Sequence, residues 1–447
     1  MAKFAVDLFD YTDRSDIKLL DPGAGAGSLS CAFIEKFYHN NINVTAVEFD
    51  DKIIPHLTAS LNTYNDIDIN IVNIDFIDFG MDSILNLEKY THVILNPPYK
   101  KIKKSDFEKK SKIYCFDTHN LYSIFLELSI EMIEKNGQIV AIIPRSFCNG
   151  KFFKKFRHKL LKTCSIEKIH LFLERDNVFK DDDVLQENII IHLVKKKQSE
   201  FVFVSYCHNL SFKTLENNII EFNKIVFVGD EDKIIHIPLN AKTPDIFHFK
   251  SDFNELGIDL STGPIVDFRE TKNLSNTLNE NYIPLIYSHH LKDYTLEWSE
   301  GGSKKKNCFN KVSSPNSIFS NGFYVAVRRF SSKEQNRRIH AYLIDTSGIS
   351  NISGITFENH LNVYHYKKNG IDLNFAKGLV IYLSSRLVDT YIRQFSGSTQ
   401  INVSDLKYIP YPTTDELSKL GSKWDGVSIF DQDYIDNLLN ELINKGE

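Results

Sequence analysis

The sequence predicts an α/β protein: a doubly wound, mostly parallel, Rossmann-like sheet followed by a C-terminal mixed α+β domain. Two observations predict it. From Ile17 to about Val194, short β-branched runs alternate with helical stretches, the pattern of a sheet covered on both faces. After about Asn240 that rhythm stops, and turn clusters such as STGP (261–264), SEGGSK (299–304) and SSPNS (313–317) become frequent. With 447 residues, 42% of them hydrophobic, the chain has enough apolar surface for more than one core.

In the first part the expected strands are IKLLD (17–21), NVTAVEF (43–49), DINIV (68–72), THVIL (91–95), GQIVAII (137–143), IEKIHLF (166–172) and NIIIHLV (188–194). Their near-continuous apolar character suits strands buried on both faces. Leu121, Ile124, Phe125, Leu128 and Met132 recur at helical spacing, which predicts an amphipathic helix packed on that sheet. The second part offers a strand at FYVAV (323–327), a helix-like stretch from about Leu373 to Phe395, and the closing STQINVSDLKYIPYP (398–412). The expected boundaries are residues 1–239 for the first domain, 240–412 for the second and 413–447 for a C-terminal tail.

Composition narrows the classes of function. Six Cys stand far apart at 31, 115, 148, 164, 207 and 308 with no CxxC spacing, which fits neither a disulfide framework nor a zinc site. No metal is expected, and a reducing cytoplasm suits these thiols. The N-terminus lacks the apolar core of a signal peptide, and no run approaches the length of a membrane span. The formal charge is −5, so any nucleic-acid surface must come from local basic clusters.

Strand IKLLD runs directly into PGAGAGS and a helical segment, placing Gly23, Gly25 and Gly27 at a turn above a strand's carboxyl end. Small residues there let a ligand touch the backbone, and the helix N-terminus favours an anionic group. A glycine turn alone would equally serve a dinucleotide or simply connect two elements tightly. The acids sharpen the reading. Asp21 precedes the glycines and suits a methionine ammonium, and Glu48 ends the second strand, where its carboxylate can accept both ribose hydroxyls. Asp75 and Phe76 follow the third strand, where the acid can meet an adenine amino group. Any one of these acids could be a helix cap. Three at successive strand ends point to S-adenosylmethionine as cofactor.

The strand THVIL ends in Asn96-Pro97-Pro98-Tyr99. Pro-Pro alone would be a stiff turn that stops a strand. In this setting it fits a chemical need. The lone pair of an exocyclic amine such as adenine N6 is delocalised into the ring, so the nitrogen is a poor nucleophile until acceptors hold its N–H groups. The Asn96 side-chain oxygen and the Pro97 carbonyl can supply those acceptors, with the prolines fixing where the carbonyl points. Asn96 is also counted among the expected cofactor-binding residues. A base inside a duplex must be flipped out and gripped by stacking to reach such a site. Tyr99 gives one aromatic face; Phe179, in NVFKDDDVLQENIII, is the candidate for the second, with core packing as its equal alternative.

Directly after Tyr99 comes KKIKKSDFEKKSK (100–112), seven Lys against two acids, expected on a loop beside the reaction centre. Its Lys100, Lys101, Lys103 and Lys104 are candidates for phosphate contact. In the second part Arg328, Arg329, Arg337 and Arg338 stand nearly unopposed by acid and are expected to anchor phosphates more than to read bases.

These residues, in this order, resemble the γ class of amino-methyltransferases: DPGAGAGSLS precedes NPPY, and a recognition domain follows both. The resemblance is closer to the adenine-N6 methylases of type II restriction–modification systems typified by PstI and BsuBI. It is carried by LLDPGAGAGSLS, VTAVEFD, VILNPPYKKI, IPRSFCNGKFFKKFR, FKDDDVLQENIIIH, FYVAVRRFSSKEQNRR, FENHLNVYH and GSTQINVSDL, and covers nearly the whole chain. It implies a site-specific DNA methyltransferase with a methyltransferase sheet, with Asn96, Pro97, Pro98 and Tyr99 catalytic and Phe179 in the target pocket. It also implies a target-recognition domain over residues 240–412, action on double-stranded DNA as a monomer away from membranes, and a separate restriction endonuclease for the same site. The recognition sequence it points to is CTGCAG. Members of the family begin with a Thr-Pro segment that closes over the methionine part of the cofactor. MAKFAVDLFD begins inside the helix that follows, so a pocket open on that side and weaker cofactor binding are expected.

Other chemistries share the motif. Methylation of an RNA adenine or of a protein glutamine poses the same lone-pair problem, and a non-catalytic DNA-binding module could keep the fold. A glutamine methyltransferase has no use for a large basic domain after the catalytic one, and an intact NPPY argues against loss of catalysis.

Overall fold

The computed structural model describes residues 1–110, 118–173, 187–207, 215–240, 245–302, 304–331, 335–350, 352–426 and 431–444. The chain divides into two compact units, Met1–Lys242 and Thr243–Glu447.

In the first unit one sheet runs through β1 (Asp16–Pro22), β2 (Asn41–Glu48), β3 (Asp68–Asn73), β4 (Tyr90–Leu95), β5 (Ile133–Pro144), β6 (Ser165–Phe172), β7 (Asn188–Val194), β8 (Phe201–Cys207) and β9 (Glu216–Glu221). Their lateral order is β3-β2-β1-β4-β5-β7-β6-β8-β9. Pairing is parallel from β3 to β5, and β7 runs antiparallel to both β5 and β6. The last two strands were not anticipated. On β9 most residues are at least partly exposed, as befits a polar edge strand, so it carries no apolar alternation to read.

Helices α1 (Ala2–Asp7), α2 (Ser28–Phe37), α3 (Ile54–Leu61), α4 (Phe76–Leu85), α5 (Lys104–Lys110), α6 (Leu121–Met132) and α7 (Lys154–Thr163) flank the strands. Strand periodicity sends consecutive residues to opposite faces. Leu19, Val44, Ala46, Ile94 and Val140 pack with Phe33 and Phe37 of α2 and Leu57 and Leu61 of α3. Leu20, Val47, Val93, Leu95 and Ile139 pack on the other side with α4, α6 and α7, where Ile124, Phe125, Leu128 and Met132 form the apolar stripe of α6. The central strands β4, β5 and β7 are therefore buried over most of their length. From β1 the chain winds outward through β2 and β3, and β4 returns to the other side of β1. The carboxyl ends of β1 and β4 are thus neighbours across the point where winding reverses, where open α/β sheets leave a crevice for ligands.

The second unit holds a six-stranded sheet, ordered Asp259–Thr262, Leu361–His365, Phe323–Arg328, Ala341–Asp345, Thr295–Leu296, Leu291–Lys292, and a smaller sheet ordered Leu274–Ser275, Cys308–Asn310, Tyr282–Ile286, Thr356–Phe357. The helix-like stretch is two helices, Leu373–Leu383 and Arg386–Arg393, with Ser385 capping the second through Val388 N–H. Residues 413–447, read from the sequence as a tail, differ from that reading. They include the helix Thr414–Gly421, which crosses Leu373–Leu383 with the two backbones touching. A Cβ on Gly378 would fall 1.8 Å from the Leu417 carbonyl, and one on Gly421 would fall 1.7 Å from that of Asn374. Only a glycine pair permits that crossing. Among the described residues no helix is long and apolar enough to cross a membrane.

Candidate active site

The glycine turn joins β1 to α2 at the crevice. Gly23, Gly25 and Gly27 have φ of 72°, 56° and 85°, a region that favours glycine. The turn folds over β2: the N–H groups of Gly23 and Ala24 donate to the Val47 carbonyl at 2.8 and 3.0 Å. Above Gly25 the space is open, since an added Cβ would meet nothing within 4 Å.

The three acids stand at the strand ends in different states. Asp21 has no exposed surface; Oδ2 accepts from Ser30 Oγ at 2.6 Å, while Oδ1 has no hydrogen-bond partner among the described residues. Burial, opposed by the Ser30 hydrogen bonds and aided by nearby Glu48, pushes its pKa up to about 7. Glu48 ties the turn to β2, accepting from Gly25 N–H and Asp50 N–H at 2.9 Å each. Asp75 caps α4, accepting from Ile77 N–H at 2.7 Å, with Lys110 Nζ at 3.7 Å. Phe76 is 3% exposed and packs on Phe125 with ring centroids 4.7 Å apart, so its ring belongs mainly to the core. Ser30 was not anticipated; its place in DPGAGAGSLS, one turn into α2, is the signal that would have found it.

Asn96-Pro97-Pro98-Tyr99 leaves the end of β4 beside that turn. Asn96 and Pro98 are exposed, Pro97 is buried and Tyr99 is half-buried. The Tyr99 hydroxyl donates to Asn96 Oδ1 at 2.8 Å and lies 3.4 Å from the Ile142 carbonyl of β5. A carbonyl oxygen has two lone pairs, so Asn96 Oδ1 keeps room for a second donor. At the end of β5, Arg145 and Glu187 form an ion pair with Nη1 and Oε2 at 3.1 Å, their side chains 6% and 8% exposed. This pair also went unread, although both residues lie in the segments IPRSF and ENIIIH. Phe179 lies outside the described residues, between Leu173 and that Glu187.

The lysine run begins as an extended segment and then becomes a helix, not the expected loop. Ile102 N–H donates to the His119 carbonyl at 3.0 Å and Leu121 N–H to the Lys100 carbonyl at 2.9 Å, pinning the backbone. Lys100, Lys101 and Lys103 project as exposed side chains, and Lys104 starts α5, its side chain lying outside what is described. Lys110 turns back to Asp78.

The four arginines behave differently from one another and from a common phosphate clamp. Arg338 is a correction: it has no exposed surface, its backbone N–H bonds Asp389 Oδ1, and its guanidinium bonds the Ser398 carbonyl. A buried guanidinium engaged by internal acceptors cannot reach DNA phosphate. Arg328 lies over the Tyr342 ring at 4.9 Å, and Arg329 donates to the Asn359 carbonyl at 2.8 Å. Arg337 bonds the Tyr294 hydroxyl. These three are half-buried, so each shows solvent only part of its side chain.

A glycine turn and an NPPY strand end on the two sides of a sheet's switch point define a methyltransferase-type fold and site. The family model described as Eco57I restriction-modification methylase matches residues 24–179. The type II methyltransferase M.BsuBI of Bacillus subtilis is 40% identical, over 98% of this chain and 91% of that one. The type II methyltransferase M.PstI of Providencia stuartii is 36% identical, over 99% and 91%. Among solved structures, the type IIG restriction endonuclease BpuSI aligns at 14% identity with a TM-score of 0.46, covering 100% of this chain and 65% of that one. The chain belongs to the type II DNA methyltransferases of restriction–modification systems.

Its methyl donor is S-adenosylmethionine. The residues at the turn fit that group: the orphaned Asp21 Oδ1 is a buried acceptor awaiting a donor, and the open space above Gly25 is a cradle any side chain would fill.

Proposed function

We propose that this chain methylates N6 of an adenine turned out of double-stranded DNA, as the modification enzyme of a restriction–modification pair whose endonuclease is a separate chain. The observation that carries the reading is the Asn96-Pro97-Pro98-Tyr99 strand end beside the glycine turn, with Asn96 exposed and its oxygen held by Tyr99. When bound, S-adenosylmethionine would supply a methyl on a positively charged sulfur, open to in-line attack by an amine, with the S–C bond breaking to leave a neutral thioether and the surplus N6 proton passing to solvent. Asp21, the glycines, Glu48 and Asp75 with Phe76 bind and orient the donor. Asn96 Oδ1 and the Pro97 carbonyl accept the two N6 hydrogens, drawing the nitrogen out of conjugation and stabilising the charge that develops on it. Pro98 fixes the turn. Tyr99 stacks on the adenine, and Phe179 closes the other face. Nothing in the tetrapeptide is a base, so the reaction depends on alignment. Lys100, Lys101, Lys103 and Lys104 hold phosphates beside the target, with Arg328, Arg329 and Arg337 adding contacts from the recognition domain, expected over residues 240–412 within the second unit, which selects the sequence.

Asn96→Ala tests the mechanism. It removes an acceptor and leaves the glycine turn and its acids intact, so most of the cofactor affinity should remain by calorimetry while single-turnover methylation falls on the order of a hundredfold or more. Near-normal turnover would sink the reading.

A further inference from the structure

We propose that the half-buried ring of His360 and the exposed ring of Phe330 read a base pair of the target sequence, with His360 Nε2 accepting a hydrogen bond from an exocyclic amine in the major groove. The inference rests on the DNA-methyltransferase reading and concerns the second unit alone.

The backbone under His360 is fixed on several sides. Glu358 N–H donates to the Ile286 carbonyl at 3.0 Å, Asn359 N–H to that of Ile265 at 2.8 Å, and Arg329 N–H to that of His360 at 2.8 Å. A Cβ on Gly263 would fall 2.1 Å from the Glu358 oxygen, so those two segments touch backbone to backbone. The STGP cluster is therefore a packing device under this loop.

The Glu358 side chain, 1% exposed, is tucked beneath the loop. Its Oε2 accepts from His360 N–H at 3.0 Å, and Oε1 lies 2.9 Å from His360 Nδ1 in an oblique approach. The inward ring nitrogen is thus Nδ1 and the outward one is Nε2, on a side chain 42% exposed. Oε1 makes no hydrogen bond of good geometry among the described residues, so it is the carboxylate's charge at that distance that favours the ring hydrogen on Nδ1, which in the neutral ring leaves Nε2 as an acceptor. Phe330, 49% exposed, meets the imidazole edge to face with centroids 4.8 Å apart, and it is bridged to Gln400.

Burying a carboxylate is costly. Here the cost is met in fixing the orientation of one solvent-facing ring, which a surface histidine without a ligand would not need. Adenine N6 and cytosine N4 are the amine donors of the major groove, and an apolar ring beside the acceptor suits a thymine methyl or a base edge. Phosphate is the poorer fit, because an acceptor repels it. Arg329, whose backbone N–H bonds the His360 carbonyl, has its guanidinium turned to the Asn359 carbonyl and Gln400 Oε1.

The test selects duplexes from a random pool with the full-length chain and scores methylation of the same pool in parallel. Wild type, His360→Ala, His360→Phe and Phe330→Ala are compared, with Tm and S-adenosylmethionine affinity as controls for folding. His360→Phe keeps the bulk and removes the acceptor, so it should repeat the alanine result with packing preserved. The expected outcome is a loss of about tenfold in preference at one base-pair position, the other positions keeping theirs. An unchanged motif, no enriched motif from the wild type, or equal weakening on every sequence with a changed salt slope would each overturn the proposal. An enriched motif without methylation by the wild type would count against the reaction reading, while the variants' motifs still decide the base-reading claim.

Discussion

Tyr99 has two separable parts, a hydroxyl that caps Asn96 and a ring that can stack on a base. Tyr99→Phe removes the first and Tyr99→Ala removes both. Because base stacking is worth about 1–3 kcal/mol, single-turnover methylation should fall roughly tenfold to a hundredfold in the alanine variant and only slightly in the phenylalanine variant. Equal rates for the two would show that the ring does not stack. At Asp21 the test is pH. Burial raises this carboxyl to about 7, so the folded protein holds its proton below that pH and loses it above, while an unfolded chain would release it near 4. A cationic ammonium requires the ionised form. Cofactor affinity should therefore drop about tenfold per pH unit below 7 and level off above it, and Asp21→Asn should flatten the profile; an unchanged slope in that variant would remove Asp21 from the cofactor site. The placement of DPGAGAG at the turn after β1 and of NPPY at the end of β4 was legible because both signals are local. Arg338 was not, because a basic cluster in sequence records charge and not burial, and its partners Asp389 and Ser398 are far along the chain.

At the scale of elements, the apolar strands and the stripe on α6 were legible because each face of the sheet is covered and burial repeats with the element's own period. The edge strand β9 and helix α5 were not. The first has little burial, and the second reads as a charge run whose helical backbone leaves no apolar stripe. The segment from Lys100 to Lys103 is pinned to residues 119–121 with its lysines outward, an arrangement that presents charge without base specificity. Replacing Lys100, Lys101 and Lys103 together by Gln should weaken binding to specific and unrelated duplexes about equally. The slope of log affinity against log salt should shrink by about one for each phosphate no longer neutralised, read by anisotropy over a salt series. A shift in sequence preference with the slope unaltered would contradict phosphate binding by these lysines.

At the scale of the molecule, the two units divide close to where periodicity changes in the sequence, since a doubly wound sheet and a mixed α+β domain impose different patterns on the chain. The C-terminal helices escaped that reading because the Gly378–Gly421 crossing joins helices with the helix Arg386–Arg393 between them in the chain, and neither glycine signals its partner. The central claim concerns one atom, the nitrogen that receives the methyl group. The full-length chain is incubated with duplex DNA and S-adenosylmethionine carrying a labelled methyl, and the DNA is digested to nucleosides and separated. The account predicts label in N6-methyldeoxyadenosine alone; label in N4-methyl- or 5-methyldeoxycytidine would contradict it.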